Sequence, residues 1–233
     1  MIEVLIDYFR RTSPAELTAA ALAIAYVIVA IRESPWCWPL AFASSAIYMY
    51  VFAGARLYMD GVLNVFFAAM AVYGWFQWRR GGPDRGALPI SHAPARVHAA
   101  VLSVLVALTL VSGMLLARYT NQAWPYVDSF IAWASVATTC LAARKLLENW
   151  LYWVAIDALA IPVYVNRGLN ATAVLFGVYV VLALVGWASC ATFRRFPWLM
   201  RLYRWFLWLM MDVTGTLSLR RNSWFSNQLK WPR

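Results

Sequence analysis

The feature that most constrains this chain is a series of seven apolar runs, each long enough to cross a lipid bilayer as a helix. A spanning helix needs about 17–25 largely apolar residues to cross a hydrocarbon core roughly 30 Å thick. Short junctions that carry arginine or lysine separate the runs. The predicted spans cover residues 16–32, 36–54, 58–78, 98–118, 127–144, 149–166 and 169–192.

The length and uniformity of these runs decide the class of fold. Inside a bilayer each backbone polar group must be paired within the protein, so only helices and closed barrels cross it. Barrel strands alternate apolar and polar residues over about 10 positions, which these runs do not. The chain is 63% hydrophobic and 13% charged, whereas soluble domains average about 45–50% and about 25%. We therefore predict an all-α integral membrane protein.

The basic residues set the expected orientation. The net charge is +10, but a nucleic-acid interface would need a basic face rather than charges between bilayer-length apolar runs. The side of the membrane that is richer in lysine and arginine faces the cytoplasm. Five of the 20 basic residues fall on the poorer side, which predicts an N-terminus outside and a C-terminus inside. These five are Arg10, Arg11, Arg56, Arg118 and Arg167.

The first three and last three spans echo each other at one constant offset in sequence. The matched positions are Trp38 and Trp150, Leu57 and Leu169, Gly74-Trp75 and Gly186-Trp187. A single span between the two sets makes both enter the membrane in the same direction, so we predict parallel repeats arranged 3+1+3. The predicted divisions are an extracytoplasmic segment 1–15, a first repeat 16–80, a cytoplasmic loop 81–97, a linker helix and loop 98–126, a second repeat 127–193 and a basic, aromatic cytoplasmic tail 194–233.

The motifs that would indicate an enzyme or a metal site are missing from the sequence. There is no GxSxG, HExxH or P-loop, and no GxGxxG after a strand. Both histidines flank one loop, and the three cysteines are widely spaced, so neither forms a metal-binding pattern. We expect no catalytic activity, no metal and no cofactor.

Polar groups inside the spans indicate a buried pocket. Asn149, Trp153 and Asp157 follow one another at helical spacing and share a face, as do Asp60 and Asn64. A charged residue at the bilayer centre costs about 2.5–3.5 kcal/mol on insertion scales, so it faces the protein interior. Indoles stack on flat cationic rings, and amides bond hydroxyls. For any single tryptophan or tyrosine near a span end, a place in the interfacial aromatic belt is the alternative.

Several strings resemble the signature of the PnuC family of vitamin transporters. They are Ala143-Arg144-Lys145, Glu148-Asn149-Trp150 with Asp157, Pro162, Tyr164 and Gly168-Leu169, Leu57-Tyr58-Met59-Asp60, Tyr73-Gly74-Trp75-Phe76-Gln77-Trp78 and Asp128-Ser129-Phe130. The resemblance covers about residues 16–192. It implies seven helices in a 3+1+3 fold similar to the SWEET sugar carriers. It also implies uptake of nicotinamide riboside by facilitated diffusion, with phosphorylation by a cytoplasmic kinase as the trap and no ATP site or coupling ion.

The resemblance also implies roles for individual residues. The substrate-binding set is Asn149, Trp150, Trp153, Trp75, Trp78, Asn64, Thr139 and Tyr164, and the gate or scaffold set is Asp60, Asp157 and Tyr58. Two positions depart from the family pattern. Asn64 stands where many members have glutamine, and Thr139-Cys140 stands where a Gln-Trp or Thr-Trp pair is common, which enlarges the pocket or changes its ligand. Glu148 lies four residues after Arg144, which predicts a local ion pair between them.

The expected location is a bacterial inner membrane, with lipid and a small-molecule vitamin as partners; a homo-oligomer is left open. One alternative keeps the transporter and changes the cargo to thiamine or another vitamin or nucleoside. The other is a non-transporting anchor or assembly protein. In that case Asn149 and Trp153 could be changed freely while the tail could not.

Overall fold

The computed structural model describes residues 13–54, 58–120, 124–168 and 170–195, without the side chains of residues 58–60, 171 and 193–195. The described residues form seven α-helices and one short 3₁₀ turn, which confirms the all-α prediction. The helices are α1 (Pro14–Ile31), α2 (Cys37–Gly54), α3 (Tyr58–Arg80), α4 (Ala95–Tyr119), α5 (Pro125–Ala143), α6 (Asn149–Asn166) and α7 (Asn170–Arg195). The described residues up to Ala191 form one compact unit. Apart from the backbone of its first two residues, the predicted tail 194–233 lies outside the described residues.

Five of the seven helices are long and apolar enough to cross a membrane by length and composition. The five are α1, α2, α4, α5 and the greater part of α7, from Thr172 to Thr192. The other two, α3 and α6, carry Asn64, Asn149 and Asp157. The helices with the weakest membrane signal are therefore those in which the sequence predicts a polar interior.

Local sequence explains where the helices begin. The hydroxyl oxygen of Ser13 accepts a hydrogen bond from the Glu16 N–H at 3.2 Å, and Pro14 occupies the first helical position. The hydroxyl satisfies a backbone donor that has no helical partner, proline loses nothing there, and the acidic residue complements the positive helix start. α5 begins in the same way, with Pro125 followed by Asp128 in its first turn.

The α1–α2 and α5–α6 turns have the same conformation. Each preceding helix ends in a Schellman motif whose left-handed residue is not glycine, with φ of 55° at Glu33 and 57° at Lys145. The Glu33 N–H donates to Ala30 and the Lys145 N–H to Ala142, both at 2.9 Å. The offset between Glu33 and Lys145 is the same as that between Trp38 and Trp150, so the turn repeats together with the tryptophan and glycine matches.

The helices pack in a connected series. α2 lies against α1 and α3, while α5 lies against α3, α4 and α6. The α1–α2 turn, the loop 81–94 and the α5–α6 turn share one side of the bundle, which we call the loop end. The main hydrophobic cluster gathers residues from near this end, namely Ala30, Cys37, Trp38, Ala71, Trp78, Ala143, Leu147, Trp150, Ala183 and Cys190.

Candidate functional site

Buried polar side chains are concentrated on three helices, of which α5 packs against both α3 and α6. Of the eight buried polar or charged residues recorded among the described residues, two lie on α2 and six on α3, α5 and α6. We call these six the polar column: Asn64, Ser129, Thr138, Thr139, Asn149 and Asp157. Buried polar groups in a bilayer mark pathways or sites more often than lipid contacts, so the column is the candidate site.

An ion pair at the end of the bundle opposite the loops gives a reference point from which the depth of the column residues can be measured. Arg167, which follows α6, pairs with Asp128 in the first turn of α5. α5 and α6 run in opposite directions. Thr138 and Asp157 each lie ten residues from this pair, which is about 15 Å along a helix axis. If the ion pair marks one boundary of a hydrocarbon core roughly 30 Å thick, both residues lie near mid-depth.

The predicted face of α6 forms as expected from the spacing. Asn149 is buried, and its side-chain amide donates to the Leu146 carbonyl at 2.5 Å. Trp153 is partly buried and contacts both hydrophobic clusters of the bundle. Asp157 keeps 5% of its surface accessible. One helix face thus carries an amide, an indole and a carboxylate from the loop end to mid-depth.

Two of the predicted substrate-binding tryptophans lie in the hydrophobic core. The Trp150 ring packs on Gly186, where an added Cβ would lie 2.6 Å from a ring carbon. The Trp78 indole donates to the Ala142 carbonyl at 3.0 Å, and the Lys145 ammonium lies 4.9 Å from the ring centre. These contacts occupy the rings, and substrate contact at both positions stays a prediction.

Trp75 lies at the loop end of α3 and is partly buried. The Trp36 ring meets it edge-on at 5.2 Å between centroids. The Arg79 guanidinium carbon lies 4.8 Å from the centre of the Trp75 ring. The indole therefore already holds a cation over its ring, which is the interaction expected of it toward a cationic ligand.

The remaining predicted residues lie on α3, α5 and α6. Asn64 on α3 is buried, and the Thr139 hydroxyl donates to the Ser135 carbonyl at 2.7 Å. Tyr164 stacks on Phe176 of α7 with centroids 5.0 Å apart. The side chains of Tyr58 and Asp60 lie outside the described residues.

Two hydroxyls that the residue-by-residue prediction omitted are unsatisfied in the described structure. Ser129 and Thr138 on α5 are buried, and their hydroxyl oxygens have no hydrogen-bond partner there. Helical hydroxyls usually bond the carbonyl four residues earlier, as Ser135 and Thr139 do. The available signal was their place inside an apolar span, but the sequence alone does not reveal whether a hydroxyl is already paired.

The loop end is closed by contacts that the sequence did not predict. Glu148 does not form the expected local pair with Arg144. Its carboxylate lies 2.6 Å from the His92 Nδ1 and accepts the Ala93 N–H at 3.1 Å. The Ser91 N–H donates to the Lys145 carbonyl at 3.2 Å. Pairing at helical spacing was the wrong expectation because Glu148 precedes the first residue of α6, and the loop can reach it there.

An open groove of about 520 Å³ lies away from the column, between the start of α1 and the end of α2. Its lining is Pro14, Ala15, Thr18, Ala46, Ile47 and Tyr50. None of these residues belongs to the predicted site. The lining is mostly apolar and the groove is open at the surface, so its position suits a lipid chain better than a polar solute.

Seven helices with a polar column at mid-depth define a multi-pass membrane protein with an interior suited to a polar solute. Residues 13–192 match the model of the nicotinamide mononucleotide transporter family. The chain belongs to this family, which confirms the resemblance drawn from its motifs. It is a family of transporters and not of enzymes.

Named relatives carry different vitamins. The chain is 25% identical over 174 residues to the riboflavin/roseoflavin transporter RibM of Streptomyces davaonensis, covering 73% of this chain and 81% of that protein. It is 28% identical over 172 residues to the nicotinamide riboside transporter PnuC of Escherichia coli, covering 62% and 72%. The crystal structure of the vitamin B3 transporter PnuC has the same fold, with a TM-score of 0.63 at 18% identity over 82% of this chain and 86% of that one.

Proposed function

We propose that this protein imports nicotinamide riboside across the bacterial inner membrane by facilitated diffusion. The observation that carries the proposal is the polar column, which crosses the interior of an otherwise apolar bundle in a family of transporters. A flat ring with a ribose needs both surfaces that this face of α6 offers, an indole at Trp153 and hydrogen-bonding groups at Asn149 and Asp157.

The movement would be a rocking of α1–α3 against α5–α7 about the column, with α4 as the linker. The 3+1+3 arrangement is supported by contacts that repeat at the constant offset of the sequence matches. Trp38 covers Gly74 as Trp150 covers Gly186, and the left-handed turns at Glu33 and Lys145 correspond. Parallel repeats around a central site are a common basis for alternating access.

Direction would come from outside the carrier. A cytoplasmic kinase that phosphorylates the riboside would keep its free concentration low inside the cell, so diffusion continues inward. The distribution of arginine and lysine supports an N-terminus outside and the loop end in the cytoplasm. The loop end would then be the side from which the kinase receives its substrate.

Riboflavin is a second candidate cargo. The relative RibM is named as a riboflavin/roseoflavin transporter, and this chain aligns with 81% of its length. The family resemblance implies an indole where Cys140 stands on α5, and the smaller side chain would leave room for a larger ligand. Thiamine, another flat cation, remains the third candidate.

The test is binding of the three vitamins to the purified full-length protein in detergent by isothermal titration calorimetry. Nicotinamide riboside should bind most tightly, and Asn149→Ala or Trp153→Ala should each weaken binding by about tenfold or more, the loss of roughly 1.4 kcal/mol. Trp187→Ala is the matched control, because that indole is 40% exposed on α7. Preferential riboflavin binding would replace the cargo, and binding of no vitamin by folded protein would favour the anchor or assembly role.

A further inference from the structure

The carboxylate of Asp157 has no partner within the described structure. It lies at mid-depth, is only 5% exposed, and forms no hydrogen bond or ion pair with a described residue. The cations at the two ends of α6 are engaged elsewhere, Lys145 with Glu33 at 3.2 Å and Arg167 with Asp128. An unpaired buried carboxylate is destabilising, and a cationic ligand would compensate its charge.

Thr138 supplies a second unsatisfied group at the same depth. Its hydroxyl is fully buried, lacks a hydrogen-bond partner in the described part of the chain, and lies on the neighbouring helix α5. A carboxylate accepts hydrogen bonds, and a hydroxyl can donate one to it or to a bound ligand. Two unsatisfied groups of complementary chemistry on adjacent helices favour a ligand subsite over a packing defect.

We propose that Asp157, assisted by Thr138, is the specificity-determining residue that favours a positively charged cargo ring over a neutral ring of the same shape. This role presupposes the transport function proposed above. A fixed negative charge in a low-dielectric interior attracts a cation strongly. A neutral ring would leave the same carboxylate desolvated and uncompensated.

The charge of Asp157 has no counterpart at the matching position of the first three helices. Ser45 is the counterpart of Asp157 at the offset that relates Trp38 to Trp150, and it is likewise buried but uncharged. The family relatives named above include carriers of a cationic pyridinium ring and of a neutral flavin ring. A carboxylate at this depth would distinguish these two kinds of cargo by charge.

The experiment compares nicotinamide riboside with its 1,4-dihydro form, which has the same ribose and carboxamide but a neutral ring. Binding to the purified full-length protein is measured by calorimetry. The wild-type protein should bind the cation about tenfold or more tightly than the dihydro form. Asp157→Asn should bring the ratio of the two dissociation constants close to one, mainly by weakening cation binding. Thr138→Val should weaken binding of the cation by about threefold or more.

The matched control is Asp84→Asn. It removes the same charge from an exposed loop position whose left-handed backbone, with φ of 53°, suits asparagine. It should leave the ratio unchanged. Thermal unfolding identifies variants that no longer fold, and Asp157→Ser, which copies Ser45, carries the same expectation if Asp157→Asn fails to fold.

A folded Asp157→Asn protein with an unchanged ratio, or with equal losses for both forms, overturns the role of the carboxylate. A wild-type protein that prefers the dihydro form or riboflavin keeps the transport function and also overturns this inference. Failure of the folded wild-type protein to bind any of these vitamins contradicts the proposed function itself and the specificity role with it.

Discussion

The first three helices and the last three share their packing and differ in their polar groups. In α1–α3 the Trp38 ring covers Gly74, and in α5–α7 the Trp150 ring covers Gly186. The sharp turn at Glu33 corresponds to the turn at Lys145. These shared contacts involve close approach or a constrained backbone, so they describe the scaffold that both halves need.

The two halves differ in side-chain chemistry at mid-depth, at one helix start and beside the loop, where a ligand or the loop would be contacted. Ser45 corresponds to Asp157 at mid-depth, Cys37 to Asn149 at a helix start, and Trp36 to Glu148 beside the loop. In each pair the second half carries the carboxylate or amide. The two halves are alike as supports and unlike in chemistry, and we expect α5 and α6 to contribute most of the recognition, together with Asn64 on α3.

The largest expected effect is on the shared glycine contacts. Gly74→Ala and Gly186→Ala should each lower the free energy of unfolding by about 1–3 kcal/mol, because the added carbon overlaps a tryptophan ring. Gly61→Ala and Gly177→Ala are controls on the same two helices, since no atom would lie within 4 Å of the added carbon. They should be neutral or stabilising, because alanine favours helix by about 1 kcal/mol.

Thermal unfolding in detergent measures all four glycine variants. If the two contacts are equivalent, the two destabilising substitutions will lower the midpoint by similar amounts. A loss at Gly186 with none at Gly74 would show that only the second half depends on this packing.

The next effect concerns the ion pair that joins the two corresponding turns. Glu33 and Lys145 lie 3.2 Å apart, with side chains 17% and 11% exposed. Glu33→Lys and Lys145→Glu should each be destabilising, and the double variant should recover part of the loss, with a coupling energy of about 0.5–3 kcal/mol. Recovery will be incomplete because Lys145 also lies over the Trp78 ring. Strictly additive losses would show that the two turns are independent.

The third prediction concerns variants in which the mid-depth carboxylate is transferred from the second half to the first. Asp157→Ser alone should abolish the preference for a cationic ligand, whereas Ser45→Asp combined with Asp157→Ser should restore part of it, about tenfold or less in affinity. Partial restoration requires that both positions face one central site. Competition binding with the cationic and neutral ribosides measures it, and a double variant no better than Asp157→Ser would place Ser45 away from the ligand.

The smallest effect is expected at the surface of the loop end. His92→Gln removes the contact with Glu148, in which the histidine side chain is 50% exposed and the glutamate side chain 20%. Exposed ion pairs contribute about 0–1 kcal/mol, so the unfolding midpoint should fall only slightly. Glu148→Gln is the variant to compare with it, because it replaces the carboxylate, which also accepts the Ala93 N–H, by a neutral amide. A large loss at His92 would make the loop a principal support of the fold.

The positions of the helices could be predicted from the sequence almost completely. Span 149–166 coincides with α6, and span 36–54 differs from α2 by one residue at its start. Bilayer length and the charged junctions suffice for this, because they decide where a helix can begin and end. The shared face of Asn149, Trp153 and Asp157 followed from helical periodicity in the same way.

Apart from the polar face of α6, the orientation of the helices about their axes could not be predicted. A helix that is apolar on nearly every side has no pattern to show which tryptophan faces inward. Trp78 and Trp75 are three residues apart, yet one is buried and the other partly exposed. The pairing of Glu148 with His92 joins residues far apart in sequence, so it depends on how the loop docks and not on local spacing.

The α5–α6 turn gathers most of the bonds that close the loop end. Residues 144–148 hold the salt bridge to Glu33, the backbone pairing with Ser91 and the carboxylate that binds His92. Because one short segment carries all of these bonds, its displacement would release them together and make opening of this end cooperative. In the proposed transport cycle, the ratio of carriers closed to carriers open at this end would then depend on a single local equilibrium, in which a bias of about 1.4 kcal/mol alters the ratio tenfold.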